Sequence, residues 1–323
     1  MELYVFECTR SYRSAEKEKR QARIVNVLDL VGHTPLLELR RFGENPEGVS
    51  LFGKAEFLNP SGSVKDRAVK AMVQHGRAEG LLGPGKTLID ATSGNTGIAY
   101  AMLGAALGFP VKIYLPANAN RERKRMLAIF GAEIVETDPL ESSDGAYLAA
   151  KAEAQAHPDK YFYPDQYNND QNWKAHYTGT ACEIWEQTAG KITHFISVTG
   201  TSGTFIGTSR RLKEFSPEIQ CVLVQPDSPI HGIEGTKHLA STLVPGFFDP
   251  NLADRTIEVS TVEAYIAARR LALTEGIFTG VSAGANLAAG AKLCRRLPAG
   301  SVAVTILCDT GNRYLSDDFW GEP

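Results

Sequence analysis

Lys65, in the stretch NPSGSVKDRAVK (residues 59–70), stands where a helix is expected to begin, and a lysine in a first helical turn is chemically out of place. The macrodipole disfavours a protonated amine there and lowers its pKa, while Ser61 or Ser63 can cap the helix. Such an amine suits a nucleophile or a base better than a structural cation. Taken alone, the segment fits a surface lysine beside Asp66 and Arg67 at least as well. A second segment, ATSGNTGIAYA (91–101), sets small and amide residues ahead of a glycine and an apolar helix. Its backbone N–H groups and the hydroxyls of Thr92, Ser93 and Thr96 could converge on a carboxylate or phosphate, although a plain capped turn has the same composition. The third, VTGTSGTFIG (198–207), has the form of a phosphate cradle: Gly200 and Gly203 permit close backbone approach, and Thr201, Ser202 and Thr204 offer donors. It has neither the P-loop lysine nor a G-x-G-x-x-G match, so a monophosphate fits it better than a triphosphate.

The elements that must position these segments alternate. From Leu51, short β-rich runs (LFGKAEF, TLIDA, VKIYLP, AEIVET) are separated by stretches of helical period (AVKAMVQHGRAEG, IAYAMLGAALG, RERKRMLAIFG). That order predicts parallel strands joined by right-handed crossovers, which places ligands where strands hand over to helices. An irregular stretch from His157 to Trp173 breaks the alternation, which resumes with HFISV, a helix from about Thr204 and CVLVQ. Residues 226–256, rich in Pro, Gly, Asp and His, are expected to form a long functional or mobile loop. Helices near Thr261 and Ser282 and a strand at SVAVTIL close the chain. The expected arrangement is two α/β units facing each other across a cleft. The smaller covers residues 59–168, and the larger combines 24–58 with 169–323. Residues 1–23 form a basic N-terminal arm.

Length and charge narrow the class. At 323 residues the chain has room for two domains and a core that needs no disulfide staples. Thirty-four Lys plus Arg against thirty-seven Asp plus Glu give a net charge of −3, which supplies no general attraction to nucleic acid or acidic membranes. Five scattered cysteines without a C-x-x-C pair argue against a disulfide framework and a zinc site, so no metal is expected and a reducing cytoplasm fits best. Neither a secretory signal nor a membrane span is predicted.

Taken together, a first-turn lysine, an anion loop and a separate phosphate cradle resemble the pyridoxal phosphate (PLP) enzymes of the tryptophan synthase β fold, also called fold type II. Within that group the resemblance is to the cysteine synthase and cystathionine β-synthase family, and nearest to its cysteine synthase B branch. It rests on seven segments in order, from GHTPLLEL through NPSGSVKDR, TSGNTG, DQYNN with HYTGTACEIW, the glycine loop and GIFTGVSAGA to CDTGNRYLS.

The resemblance implies that Lys65 holds PLP as a Schiff base and then acts as the base on Cα–H. It gives Asn95 the cofactor's ring hydroxyl, Gly200, Thr201, Ser202, Gly203 and Thr204 its phosphate, and Thr92, Ser93, Thr96 and Gln166 the substrate α-carboxylate. Ser202 replaces a second glycine common among relatives. Ser282 is implied to face the pyridine nitrogen, with Asp309 as the rival. The implied reaction is a two-stage β-replacement on O-acetyl-L-serine or O-phospho-L-serine, with sulfide or another sulfur donor giving L-cysteine. Lys237, with His238 beside it, lies where an O-phosphoserine-using relative carries a basic residue, so it is expected to meet an anionic substituent; a solvated loop lysine fits equally. Cys308 is read as a buried strand-end thiol or a pocket residue. The family further implies a cytoplasmic homodimer, with a serine acetyltransferase or a sulfur-carrier protein as candidate partners. Cystathionine β-synthase and a 2,3-diaminopropionate-type synthase are alternatives on the same fold. A non-catalytic α/β ligand-binding protein is the alternative outside it.

Overall fold

The computed structural model describes residues 26–92, 94–317 and 320; the basic arm and Ser93 lie outside the described residues. In chain order the strands are β1 (Leu36–Glu38), β2 (Ser50–Lys54), β3 (Thr87–Ala91), β4 (Val111–Pro116), β5 (Glu133–Thr137), β6 (Tyr161–Phe162), β7 (His194–Val198), β8 (Gln220–Pro226), β9 (Arg255–Val259) and β10 (Val302–Ile306). The α-helices are α1 (Lys65–Ala78), α2 (Asn95–Leu107), α3 (Arg121–Ile129), α4 (Ser142–Ala156), α5 (Asp170–Ala175), α6 (Ala181–Gln187), α7 (Gly203–Phe215), α8 (Thr261–Glu275) and α9 (Val281–Cys294).

The strands form two sheets. One is four-stranded and all parallel, ordered β5-β4-β3-β6; the other is six-stranded, ordered β1-β2-β10-β7-β8-β9, with only the β1–β2 pair antiparallel. Interior strands are near-continuous apolar runs because helices cover both faces: β3 and β10 are each buried from their second residue to their last. At two of the sheet edges, β5 is exposed or half-buried throughout and β9 is buried only at its last residue. Helix α2 (NTGIAYAMLGAAL) has no polar face, and it is buried from Thr96 to Gly104 behind β3 and β4. Gly76 on α1 lies against the Phe162 ring, where any Cβ would collide, so α1 and β6 pack directly together.

Two local expectations change. The β-run at Leu51–Phe57 stops at Lys54 and gives way to a 3-10 turn at Glu56–Leu58. The chain bends there because Lys54 and Glu56 are drawn into a buried ionic cluster. Lys54 Nζ meets Glu183 Oε2 at 2.6 Å, Arg67 Nε meets Glu56 Oε2 at 2.7 Å, and Arg67 Nη1 meets Glu183 Oε1 at 2.7 Å. This cluster joins β2, α1 and α6. The cap of α1 also differs: Val64 is the N-cap without a side-chain bond. Ser63 Oγ instead accepts from the Lys65 N–H at 3.3 Å, and Ser61 is bound to Asp66 through its backbone N–H at 2.6 Å and its hydroxyl. The irregular stretch after His157 holds the short β6 and α5, and α4 and β9 are elements the alternating pattern left unmarked.

Candidate active site

A cleft opens at the carboxyl ends of β3, β7 and β10, where a parallel sheet releases its loops toward a ligand. Lys65 reaches it from the first turn of α1. Burial lowers the pKa of its amine, the nearby Cys308 and Asp309 only partly opposing this, and among the described residues its Nζ makes no hydrogen bond or ion pair.

The TSGNTG loop supplies one wall. Thr92 Oγ1 accepts from the Gly94 N–H at 3.2 Å, which draws the loop into a turn ahead of α2. The Thr96 hydroxyl donates to Gln166 Oε1 at 3.0 Å, and Gln166 Nε2 donates to the Ala91 carbonyl at 3.2 Å. Asn95 lines the cleft while its Nδ2 donates to Asp309 Oδ2 at 2.7 Å and its Oδ1 accepts from Arg313.

The glycine loop supplies the opposite wall. Gly200 packs against the Gly235 carbonyl and Gly203 against Asn172 Oδ1 so closely that a Cβ at either would collide. Ser202 sits between them in the left-handed region, at φ +66°, as the N-cap of α7. Its buried hydroxyl has no hydrogen-bond partner among the described residues. Thr201 Oγ1 accepts from Asn172 Nδ2 at 3.1 Å. Thr204 Oγ1 lies 3.3 Å from Nε2 of His176, which burial keeps well below the usual histidine pKa, at about 3, and hence neutral. His176 opens a π-helical turn, His176–Thr180, beneath this loop.

Ser282, at the start of α9, lines the cleft; Asp309 does not, its Oδ2 accepting from Asn95 and, at 2.6 Å, from the Tyr314 hydroxyl. Cys308 does line it, with a thiol that burial pushes up to about 12. Lys237 stands outside the lining: its Nζ lies over the Tyr167 ring, 4.7 Å from the centroid, and it is Tyr167 that borders the cleft. The sequence reading gave no role to the lining residues Arg123, Glu234, Tyr167 and Tyr314, or to the supports Asn172 and His176, although Tyr167, His176 and Tyr314 lie within the segments DQYNN, HYTGTACEIW and CDTGNRYLS. Residue type and spacing alone gave none of them a ligand-facing role, and only folding brings them here.

Asp90 ends β3 just before this loop. Burial pushes its carboxyl up to about 7, against the Ala91 N–H that donates to Oδ1 at 2.8 Å. The folded protein therefore holds this proton more tightly than the unfolded chain between about pH 4 and about pH 7. Asp90 contributes stability below that window and loses it as pH rises through about 7. The Asp90→Asn variant is expected to lose this part of the pH dependence and to be more stable than the parent at about pH 8 but not at about pH 5, as read from denaturant midpoints.

A buried hydroxyl with no partner among the described residues, at a helix N-terminus, and a desolvated amine line one cleft, which suits a ligand carrying an anion at one end and an amine-reactive carbonyl at the other. Residues 27–309 match the family described as pyridoxal-phosphate dependent enzyme. Fold and cleft together define a PLP enzyme of the tryptophan synthase β class. The chain is 50% identical over 302 residues to a cysteine synthase of Aquifex aeolicus, covering 92% of each chain. It is 40% identical over 292 residues to cysteine synthase B of Salmonella typhimurium, covering 90% of this chain and 95% of the relative. The crystal structure of a cysteine synthase (OASS) from Entamoeba histolytica superposes with a TM-score of 0.89 at 35% identity, over 94% of this chain and 93% of the other. The chain belongs to the cysteine synthase family.

Proposed function

We propose that the enzyme makes L-cysteine by β-replacement on an O-activated L-serine, and that the residues assembled around the cleft divide the work. PLP bound to Lys65 supplies the electron sink that labilises the substrate Cα–H and lets the Cβ substituent depart. Ser202 Oγ, the Thr201 and Thr204 hydroxyls and the first N–H groups of α7 hold its phosphate, Asn95 its ring hydroxyl and Ser282 its ring nitrogen. A serine hydroxyl at that nitrogen does not enforce protonation, which favours elimination at Cβ over transamination. Thr92, Thr96 and Gln166, with Ser93 among the same loop's donors, orient the substrate carboxylate. Lys65, whose pKa desolvation lowers and whose amine is free to act once the substrate's amine has taken its place, removes the proton at Cα. Acetate or phosphate leaves, and a sulfur nucleophile adds at Cβ. The loop that holds the carboxylate excludes water during the interval between the two steps. The smaller unit at 59–168 thus carries the lysine and the carboxylate loop, and the larger one the phosphate loop.

The observation that carries this reading is that the Lys65 amine and the Ser202 hydroxyl, neither with a partner among the described residues, line a single cleft. The enzyme works in the cytoplasm as a homodimer on small molecules, with Lys237 at the outer edge of the donor site and an acetyltransferase or a sulfur carrier as its protein partner. No described helix is long and apolar enough to cross a membrane.

The test is a donor and nucleophile panel: O-acetyl-L-serine and O-phospho-L-serine, each with sulfide, homocysteine and glutamate. Cysteine as the dominant product is expected. Cystathionine or 2,3-diaminopropionate in its place would move the assignment to those activities, and a protein that neither binds PLP nor turns over would be a binding module.

Ser202 gives a separate expectation. Changing it to glycine relieves a left-handed backbone strain of about 1 kcal/mol but removes a donor to the phosphate. Ser202→Gly should therefore unfold at higher denaturant concentration as apoprotein and bind PLP ~10-fold more weakly. Ser202→Ala should show the weaker binding without the gain, and equal PLP affinity in all three proteins would remove the serine from the phosphate site.

A further inference from the structure

The charged residues that line the cleft are Lys65, Arg123 and Glu234. Arg123 comes from α3, on the side of the four-stranded sheet, and is buried; its Nη1 lies 3.8 Å from where a Cβ on Gly94 would stand, so it backs the TSGNTG loop. The Tyr314 ring packs against its guanidinium at 5.0 Å. Its ion-pair partner Glu234 comes from the loop after β8, on the side of the six-stranded sheet, and its side chain is 44% exposed. That loop is fastened to the glycine loop directly: the Lys237 N–H donates to the Thr199 carbonyl at 2.8 Å, and the Gly235 carbonyl abuts Gly200. One ion pair thus connects the wall that holds the substrate carboxylate to the wall that holds the phosphate.

We propose that Arg123 is a positioning residue which, through Glu234, holds the two walls of the cleft near their working separation before substrate arrives. The inference rests on the division of labour between those walls set out above. Without the pair the open cleft gains population, and substrate must pull the walls together itself. The cost then falls on apparent affinity and not on the rate once bound. A merely stabilising pair would behave otherwise, since partial unfolding lowers the active fraction and so kcat, with KM unchanged.

The experiment uses the holoenzyme with Glu234→Gln, which is half-exposed and so removes the charge with little risk to folding, and Arg123→Lys, which keeps the charge without the planar fork. KM for the activated serine is expected to rise about fivefold in Glu234→Gln with kcat within twofold of the parent, and to rise less in Arg123→Lys. Hydrogen exchange in unliganded holoenzyme should quicken in peptides covering 231–237 and 199–204. Unchanged KM with unchanged exchange, or a fallen kcat at constant KM, overturns the proposal. If the parent itself turns over no activated serine, the functional reading has failed, and the exchange measurement still decides whether the pair holds the walls.

Discussion

Replacing Lys65 with alanine is expected to cut the turnover of activated serine by at least ~10³-fold, because in the function proposed above one side chain both anchors the cofactor and moves the α-proton. The fold should survive. The amine is buried, its pKa is lowered by desolvation, and it makes no ion pair among the described residues, so little native binding energy is lost with it. Lys65→Arg should be as inactive as Lys65→Ala, since a guanidinium stays protonated and can neither condense with a carbonyl nor accept the proton. In the parent, the limb of activity that rises with pH should reach its plateau below the ordinary lysine pKa, following the lowered value of the free amine. Steady-state rates of the three proteins at matched PLP occupancy decide the matter. Activity in Lys65→Arg within tenfold of the parent would rule out this lysine as the reacting group.

The second large effect concerns stability. Arg67 lies two residues beyond Lys65 on the same helix, and its guanidinium bridges Glu56 and Glu183 in the interior, with the Thr34 hydroxyl donating to Glu56 Oε1 at 2.7 Å. Arg67→Met leaves two buried carboxylates with Lys54 as the remaining cation, at an expected cost of about 3–5 kcal/mol. Burial by itself would raise the Glu183 carboxyl, yet Arg67 and Lys54 hold it well below the usual carboxylate range. A carboxylate with a depressed folded-state pKa contributes stability above its unfolded value and loses it as pH falls through the folded value. Without Arg67 the desolvation that remains raises both carboxyls, and protonating them relieves the repulsion. The loss in Arg67→Met should therefore be larger at about pH 8 than at about pH 5. Adding Glu183→Leu to Arg67→Met should restore part of the stability, because it removes one stranded charge. A loss below ~1 kcal/mol at neutral pH, or one independent of pH, would mean that water reaches these groups.

This cluster shows where sequence reading stops. Asp66 and Arg67 stood beside the lysine as signs of an ordinary surface segment, whereas both are buried. Nothing local distinguishes a buried arginine from a solvated one; the difference lies in Glu56 and Glu183, 11 and 116 residues away along the chain. Lys237 illustrates the converse, since its position near the donor site was inferred from a motif, and packing against Tyr167 sets it just outside the lining. The choice between Ser282 and Asp309 was likewise open to composition. It depends on which side chain faces the cleft and which is already committed to Asn95 and Tyr314.

Alternating apolar runs, glycine-bearing turns and a first-turn lysine are local properties, and they alone determined the parallel α/β class, the strands TLIDA, VKIYLP and HFISV, and the reactive amine and anion cradle expected of Lys65 and the glycine loop, whereas the part expected of Asn95 came from the family resemblance. Each depends on backbone geometry within a few residues, which residue type and spacing encode directly. The tertiary structure alone decided that Arg123 and Glu234 meet across the cleft, that Glu183, 116 residues from Arg67, joins Lys54, Glu56 and Arg67 in one interior site, and that Ser202 presents a hydroxyl without a partner among the described residues. Those outcomes follow from burial and from partners distant in sequence, and no local pattern carries either.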